Sequence, residues 1–79
     1  MKNYKKILEG MPHRLVKLKN GRSGRRFARD VGIHQQNMAL YLTGQAVPSL
    51  LTAIRIAEAT HCSLDWLCMG KTEAFYSAH

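Results

Sequence analysis

The amino-acid sequence predicts an all-α fold, a bundle of about five short helices packed as one small orthogonal unit. Three observations predict it. Apolar residues recur at helical spacings of three and four along most of the chain. No stretch alternates apolar and polar residues for long, and clusters of β-branched residues are missing, so strands have no signal. Capping serines and stop glycines fall between the periodic runs. A chain of 79 residues is too short to divide between two cores. It reads as a single domain over 1–79, with its core over about 11–70 and flanking segments at 1–10 and 71–79.

Each element follows from local chemistry. Tyr4 to Glu9 predicts one turn before Gly10 interrupts. Pro12 suits the first turn of a helix, where its missing N–H costs nothing. Met11, Leu15 and Leu18 form that helix's apolar stripe, with Arg14, Lys17 and Lys19 expected outward, and Asn20-Gly21 ends it. Ser23 caps the next helix, whose inner face carries Phe27, Ala28 and Val31 opposite Arg25, Arg26 and Arg29. Gly32 is a left-handed stop and Ile33 an apolar plug in the corner. A third helix is expected over about His34 to Leu42, with Met38, Tyr41 and Leu42 inward and Gly44 closing it. Pro48-Ser49 starts the fourth, whose core stripe is expected at Leu50, Ala53, Ile54 and Ala57. Thr60-His61-Cys62 leads to a last short helix capped by Ser63, with Asp65 in its first turn and Leu64, Trp66 and Leu67 apolar.

The charge is segregated. The chain holds 12 Lys and Arg against five Asp and Glu, a net +7. Residues 1–30 hold ten of those cations and two acids, leaving +8, while the remainder holds two cations and three acids, leaving −1. Such a distribution makes an electropositive face suited to a polyanion. On charge alone, a solvated face, a membrane surface or an acidic protein is equally served.

Other classes have less support. No apolar run approaches the roughly 20 residues of a membrane span. Met1 to Lys6 has no apolar stretch behind it to act as a signal peptide, so a soluble, cytoplasmic protein is expected. Cys62 and Cys68 both neighbour apolar residues and read as buried thiols. With His61 and His79 they lack paired zinc-ligand spacing, and neither a metal nor any other cofactor is expected. The acids Glu9, Asp30, Glu58, Asp65 and Glu73 are scattered over different elements and form no triad, which argues against an enzyme.

The informative stretch runs from Ser23 to Leu42. Two helices of about eight residues flank the tight Gly32-Ile33 corner, the helix-turn-helix arrangement, in which the second helix protrudes. Here FARDVGIHQQNMALYLTG, followed by VPSLLTAIRIAEATHCSLDWLCMG, resembles the XRE family of Cro- and phage-repressor-like proteins. The resemblance covers roughly residues 12–70 and rests on several agreeing segments: the FA…GI helix and turn, YLTG, PSL, IAEAT and SLDWL. It implies the lambda-repressor-like fold and a sequence-specific regulator of transcription, most simply a repressor at the nucleoid. In that family the second helix of the motif enters the major groove and its first residues meet base edges.

On this chain those positions are His34, Gln35, Gln36, Asn37 and Leu40. Gln and Asn carry a donor and an acceptor on one planar amide, matching the N6/N7 edge of adenine. Leu40 either touches a thymine methyl or lies partly buried beside Met38. His34 either contacts a base or phosphate or is an exposed residue with no role. For phosphate contacts the resemblance nominates Arg22, Ser23, Arg25, Arg26, Thr43 and Gln45. The family often carries Gln at the position of Gly24, Ser or Thr at that of His34, and Lys or Arg at those of Gln45 and Ala46. These departures bear on the contact set rather than on the docking mode.

The resemblance also implies a homodimer on double-stranded DNA, reading two half-sites about one helical turn apart. Trp66, Met69, Phe75 and Tyr76 are the residues expected to form its interface, unless the tail packs back on its own core. A second reading makes the chain a protein-interaction module, such as an antitoxin or regulatory adaptor, with DNA binding secondary.

Overall fold

The computed structural model describes residues 9–71, and the expected turn at Tyr4 to Leu8 and the tail residues Phe75 and Tyr76 lie outside them. Five helices follow in order: α1 Met11–Lys19, α2 Gly24–Val31, α3 Gln35–Thr43, α4 Leu50–Thr60 and α5 Leu64–Met69. No strand occurs among the described residues. None of these helices is long and apolar enough to cross a membrane.

The caps fall where the serines do. Ser23 Oγ accepts from the Arg26 N–H at 3.1 Å, Ser49 Oγ from Thr52 at 3.2 Å and Ser63 Oγ from Trp66 at 3.3 Å. Each satisfies one donor that a helix start leaves unpaired. The third helix begins one residue later and ends one later than the spacing predicts. His34 is not its first residue but its cap: Nδ1 accepts from the Gln36 N–H at 3.3 Å.

The core joins Met11, Leu15 and Leu18 of α1 to Phe27, Ala28 and Val31 of α2, Met38 of α3 and Leu67 of α5. Helices α1 and α2 bury the residues their spacing nominates, whereas α3 buries only Met38 and α5 only Leu67, with Tyr41, Leu42, Leu64 and Trp66 partly buried against the core. On α4 the stripe is different. Ala53, Ile56 and Ala57 are buried, Ile54 is only half-buried, and Leu50 is 69% exposed. The helix has apolar residues on more than one side, so spacing alone does not select its inner face. Cys62 is buried as expected, but Cys68 is only half-buried on the outer part of α5.

Arginines tie the helices together. Arg14, expected outward, turns across to α5, where its Nε donates to the Leu67 carbonyl at 2.8 Å and Nη2 to the Cys68 carbonyl at 3.3 Å. The last carbonyls of a helix lack intrahelical partners and carry partial negative charge, which a guanidinium complements. Arg55 of α4 donates to the Gly32 carbonyl at 3.4 Å, bracing the corner between α2 and α3.

Candidate nucleic-acid interface

The corner between α2 and α3 is built from backbone that glycine permits. Gly32 sits at φ 82°, ψ 33°, and its N–H donates to Ala28 and Arg29 carbonyls while Ile33 N–H reaches back to Ala28 at 2.9 Å. This double closure ends α2 and swings the chain sharply. Ile33 then packs against the core, as the plug the sequence predicts. At the far end of α3, Gly44 has φ 79°, and a Cβ there would lie 3.2 Å from Pro12 Cγ. Both conformation and space favour glycine at that exit.

Between these stops α3 is held by one buried anchor, Met38, with Tyr41 and Leu42 half-buried against the core. Its remaining face is open. His34, Gln35, Gln36 and Asn37 are all exposed, and the side-chain amides of Gln35, Gln36 and Asn37 make no hydrogen bond among the described residues. Leu40, the residue with two open readings, is 38% exposed and lies outside the buried core. All five residues expected to meet bases are exposed, His34 at the cap and the other four along α3. The cap also fixes the neutral imidazole of His34: with Nδ1 accepting, the ring proton resides on Nε2, which is left as a donor.

The flanking residues differ in what they have to offer. Arg22 is largely committed within the fold. Its Nη1 pairs with Asp30 at 3.0 Å, Nε donates to Lys19 at 2.9 Å and Nη2 to Leu18 at 2.8 Å. Its guanidinium also lies 4.9 Å from the centre of the Phe27 ring. Arg26 approaches the same carboxylate at 3.7 Å but remains mostly exposed. Arg25 and Arg29 are exposed and make no ion pair among the described residues. Ser23 uses its oxygen lone pair for the cap and keeps its hydroxyl proton to donate. Past the end of α3, Gln45 Nε2 donates to Thr43 Oγ1 at 2.9 Å, and that hydroxyl donates to the Ala39 carbonyl at 3.0 Å.

Of the residues expected at a dimer interface, Phe75 and Tyr76 lie outside the described residues. Trp66 is half-buried and packs against the core, and Met69 is 37% exposed. Trp66 also borders a groove whose other walls include His13, Arg14 and Lys17. Sequence reasoning missed a different apolar surface, Val47, Leu50 and Leu51, whose exposures run from 56% to 69%. Its signal was present in the consecutive leucines after Ser49, only one of which any single stripe could bury.

The helix-turn-helix family model matches residues 14–67, from within α1 to within α5. No curated protein and no solved structure matches the chain significantly. The matched residues contain the capped α2, the Gly32 corner and the open face of α3, the parts through which such domains meet double-stranded DNA. By sequence match and by architecture, the chain belongs to the XRE-type helix-turn-helix family of DNA-binding regulatory domains.

Proposed function

We propose that this chain is a sequence-specific repressor, a single DNA-binding unit that reads its operator with the start of α3. The observation that carries the reading is the exposed, unbonded amide cluster Gln35-Gln36-Asn37 at the first turn of that helix. A Gln or Asn amide offers a donor and an acceptor together and so distinguishes adenine from the other bases in the major groove. Leu40, one turn further along, supplies apolar contact for a thymine methyl. His34 presents its Nε2–H to a guanine acceptor or a phosphate oxygen.

Register on the duplex comes from phosphate contacts. Ser23 and the free N–H groups at the start of α2 grip one phosphate, and Arg25 and Arg26 neutralise its neighbours. Thr43 and Gln45, already joined to one another, meet the backbone beyond α3. Arg22 contributes charge to this face while most of its fork stays within the fold. The protein acts at the nucleoid as a homodimer on a two-fold operator, and bound there it excludes transcription from the promoter.

Selection from a random pool of duplex oligonucleotides tests this reading. Enrichment of a short motif with adenines, repeated as an inverted pair about one turn apart, is the expected result. A pool that stays random after repeated selection would refute sequence-specific reading.

A further inference from the structure

We propose that residues 72–79 of this chain fold back over the end of α5 and occupy the groove beside Trp66, with Glu73 against Lys17 and the Phe75-Tyr76 pair on the indole. The groove, of about 340 Å³, lies between α1 and α5, and its walls are Gly10, His13, Arg14, Lys17, Trp66 and Gly70. Trp66 is only half-buried, and its indole N–H has no acceptor among the described residues. His13 and Lys17 are exposed, and neither makes an ion pair among the described residues. A half-covered aromatic ring flanked by cations fits an occupant that carries both a carboxylate and apolar area.

The chain itself leads into this groove. Gly70 ends α5 at φ 71°, ψ 17°, and the Gly70 N–H donates to the Trp66 carbonyl at 2.8 Å. That left-handed closure turns the backbone away from the helix axis. A Cβ on Gly70 would stand 3.0 Å from Arg14 Nη1, so the exit lies against a wall of the groove. The stretch from Gly70 to Glu73 reaches up to about 10 Å, which brings the carboxylate within range of Lys17 across a groove of this size. Phe75 and Tyr76 follow closely, and aromatic rings favour edge-to-face or offset contact with one another.

Charge selects this segment over the other candidates. Residues 1–8 also adjoin the groove, just before Gly10, but they carry Lys2, Lys5 and Lys6 and no acid. Arg14 and Lys17 would repel them. Residues 72–79 hold Glu73 and no Lys or Arg. Two copies meeting over this groove would set Arg14 and Lys17 against their own counterparts. The docked tail gives α5, a helix of six residues, a second brace besides Arg14. It also takes up Trp66, Phe75 and Tyr76 within one copy, so the homodimer proposed above pairs through other residues.

Trp66 is the one tryptophan in the chain, so its fluorescence reports on this groove. Its emission, and its quenching by the neutral quencher acrylamide, are measured in the full chain at low micromolar concentration without DNA. Phe75→Ala combined with Tyr76→Ala should shift the emission to longer wavelength and strengthen quenching. The melting temperature should fall by about 4–8 °C, as loss of an aromatic contact does in a domain of this size. Glu73→Lys should expose Trp66 likewise, and adding Lys17→Glu should restore the wild-type spectrum, which a damaged fold would not. Folded variants with wild-type emission and quenching would overturn the tail's placement. So would wild-type protection that vanishes on dilution, which gives the groove to a second copy, or protection that arises only with added duplex, which gives it to DNA.

Discussion

Arg14, in the first helix, closes the end of the last: its Nε donates to the Leu67 carbonyl oxygen at 2.8 Å, across 53 positions of sequence. The second bond, from Nη2 to Cys68, makes the guanidinium a cap for α5, a helix of only six residues. So short a helix is held by its packing and its caps rather than by intrinsic propensity. Burial holds the Arg14 pKa below its ordinary value, with the nearby Cys68 acting in the opposite sense, and an arginine stays charged at neutral pH regardless.

Removing that cap should loosen α5. Arg14→Ala is expected to cost about 1.5–3 kcal/mol, the range for hydrogen bonds involving a charged group, measured by urea unfolding. Arg14→Lys should recover little, because an ammonium cannot reproduce the two-pronged geometry. Unchanged stability in Arg14→Ala would show that the bonds to Leu67 and Cys68 are dispensable.

His34 has two separable roles, and two substitutions divide them. Its Nδ1 caps α3 while Nε2–H faces outward. His34→Ala should lose stability, about 1 kcal/mol for a missing cap, and operator affinity as well. Asparagine is a strong cap, so His34→Asn should restore the melting temperature and leave the affinity reduced. Full recovery of affinity with Asn would confine His34 to capping.

Arg25 and Arg26 are expected to act through charge alone. Replacing either by Ala should weaken binding to all duplexes alike and reduce the slope of log K against log salt by about 0.9 per lost phosphate contact. Titrations at several salt concentrations measure this. An unchanged slope would make these arginines a solvated surface only.

Both thiols are pushed up from the ordinary 9.0, Cys62 by burial and Cys68 by burial that Arg14 partly opposes. A raised folded-state pKa means the unfolded chain releases these protons first as pH rises. The thiols' contribution to stability is therefore whole at neutral pH and is lost as pH climbs above about 9.0. The difference in melting temperature between wild type and Cys68→Ala should change across that window, with the wild type losing more. An equal alkaline loss in both would remove Cys68 from the explanation.

How much the sequence revealed depended on range. The α2–α3 corner was legible because every part of it is local: the Ser23 cap, the Gly32 stop and the Ile33 plug lie within eleven residues. The open face of α3 followed, since burying Met38 leaves the amides outside. Helix α4 was misread at Leu50 and Ile56 because it has apolar residues almost all round, and only its neighbours decide which are covered. Arg14 was assigned outward for a related reason. Nothing near it in sequence announces an acceptor 53 positions away. Arg22 shows the same limit on a smaller scale, with its fork bonded to Leu18, Lys19 and Asp30.

Base reading by α3 is tested most directly by comparing Gln35→Ala and Gln36→Ala with the wild type on two duplexes, the selected operator and a scrambled one. Each substitution should cost roughly 1–3 kcal/mol on the operator and almost nothing on the scrambled duplex. Equal losses on both duplexes, or none on either, would contradict the claim that these amides distinguish one base from another.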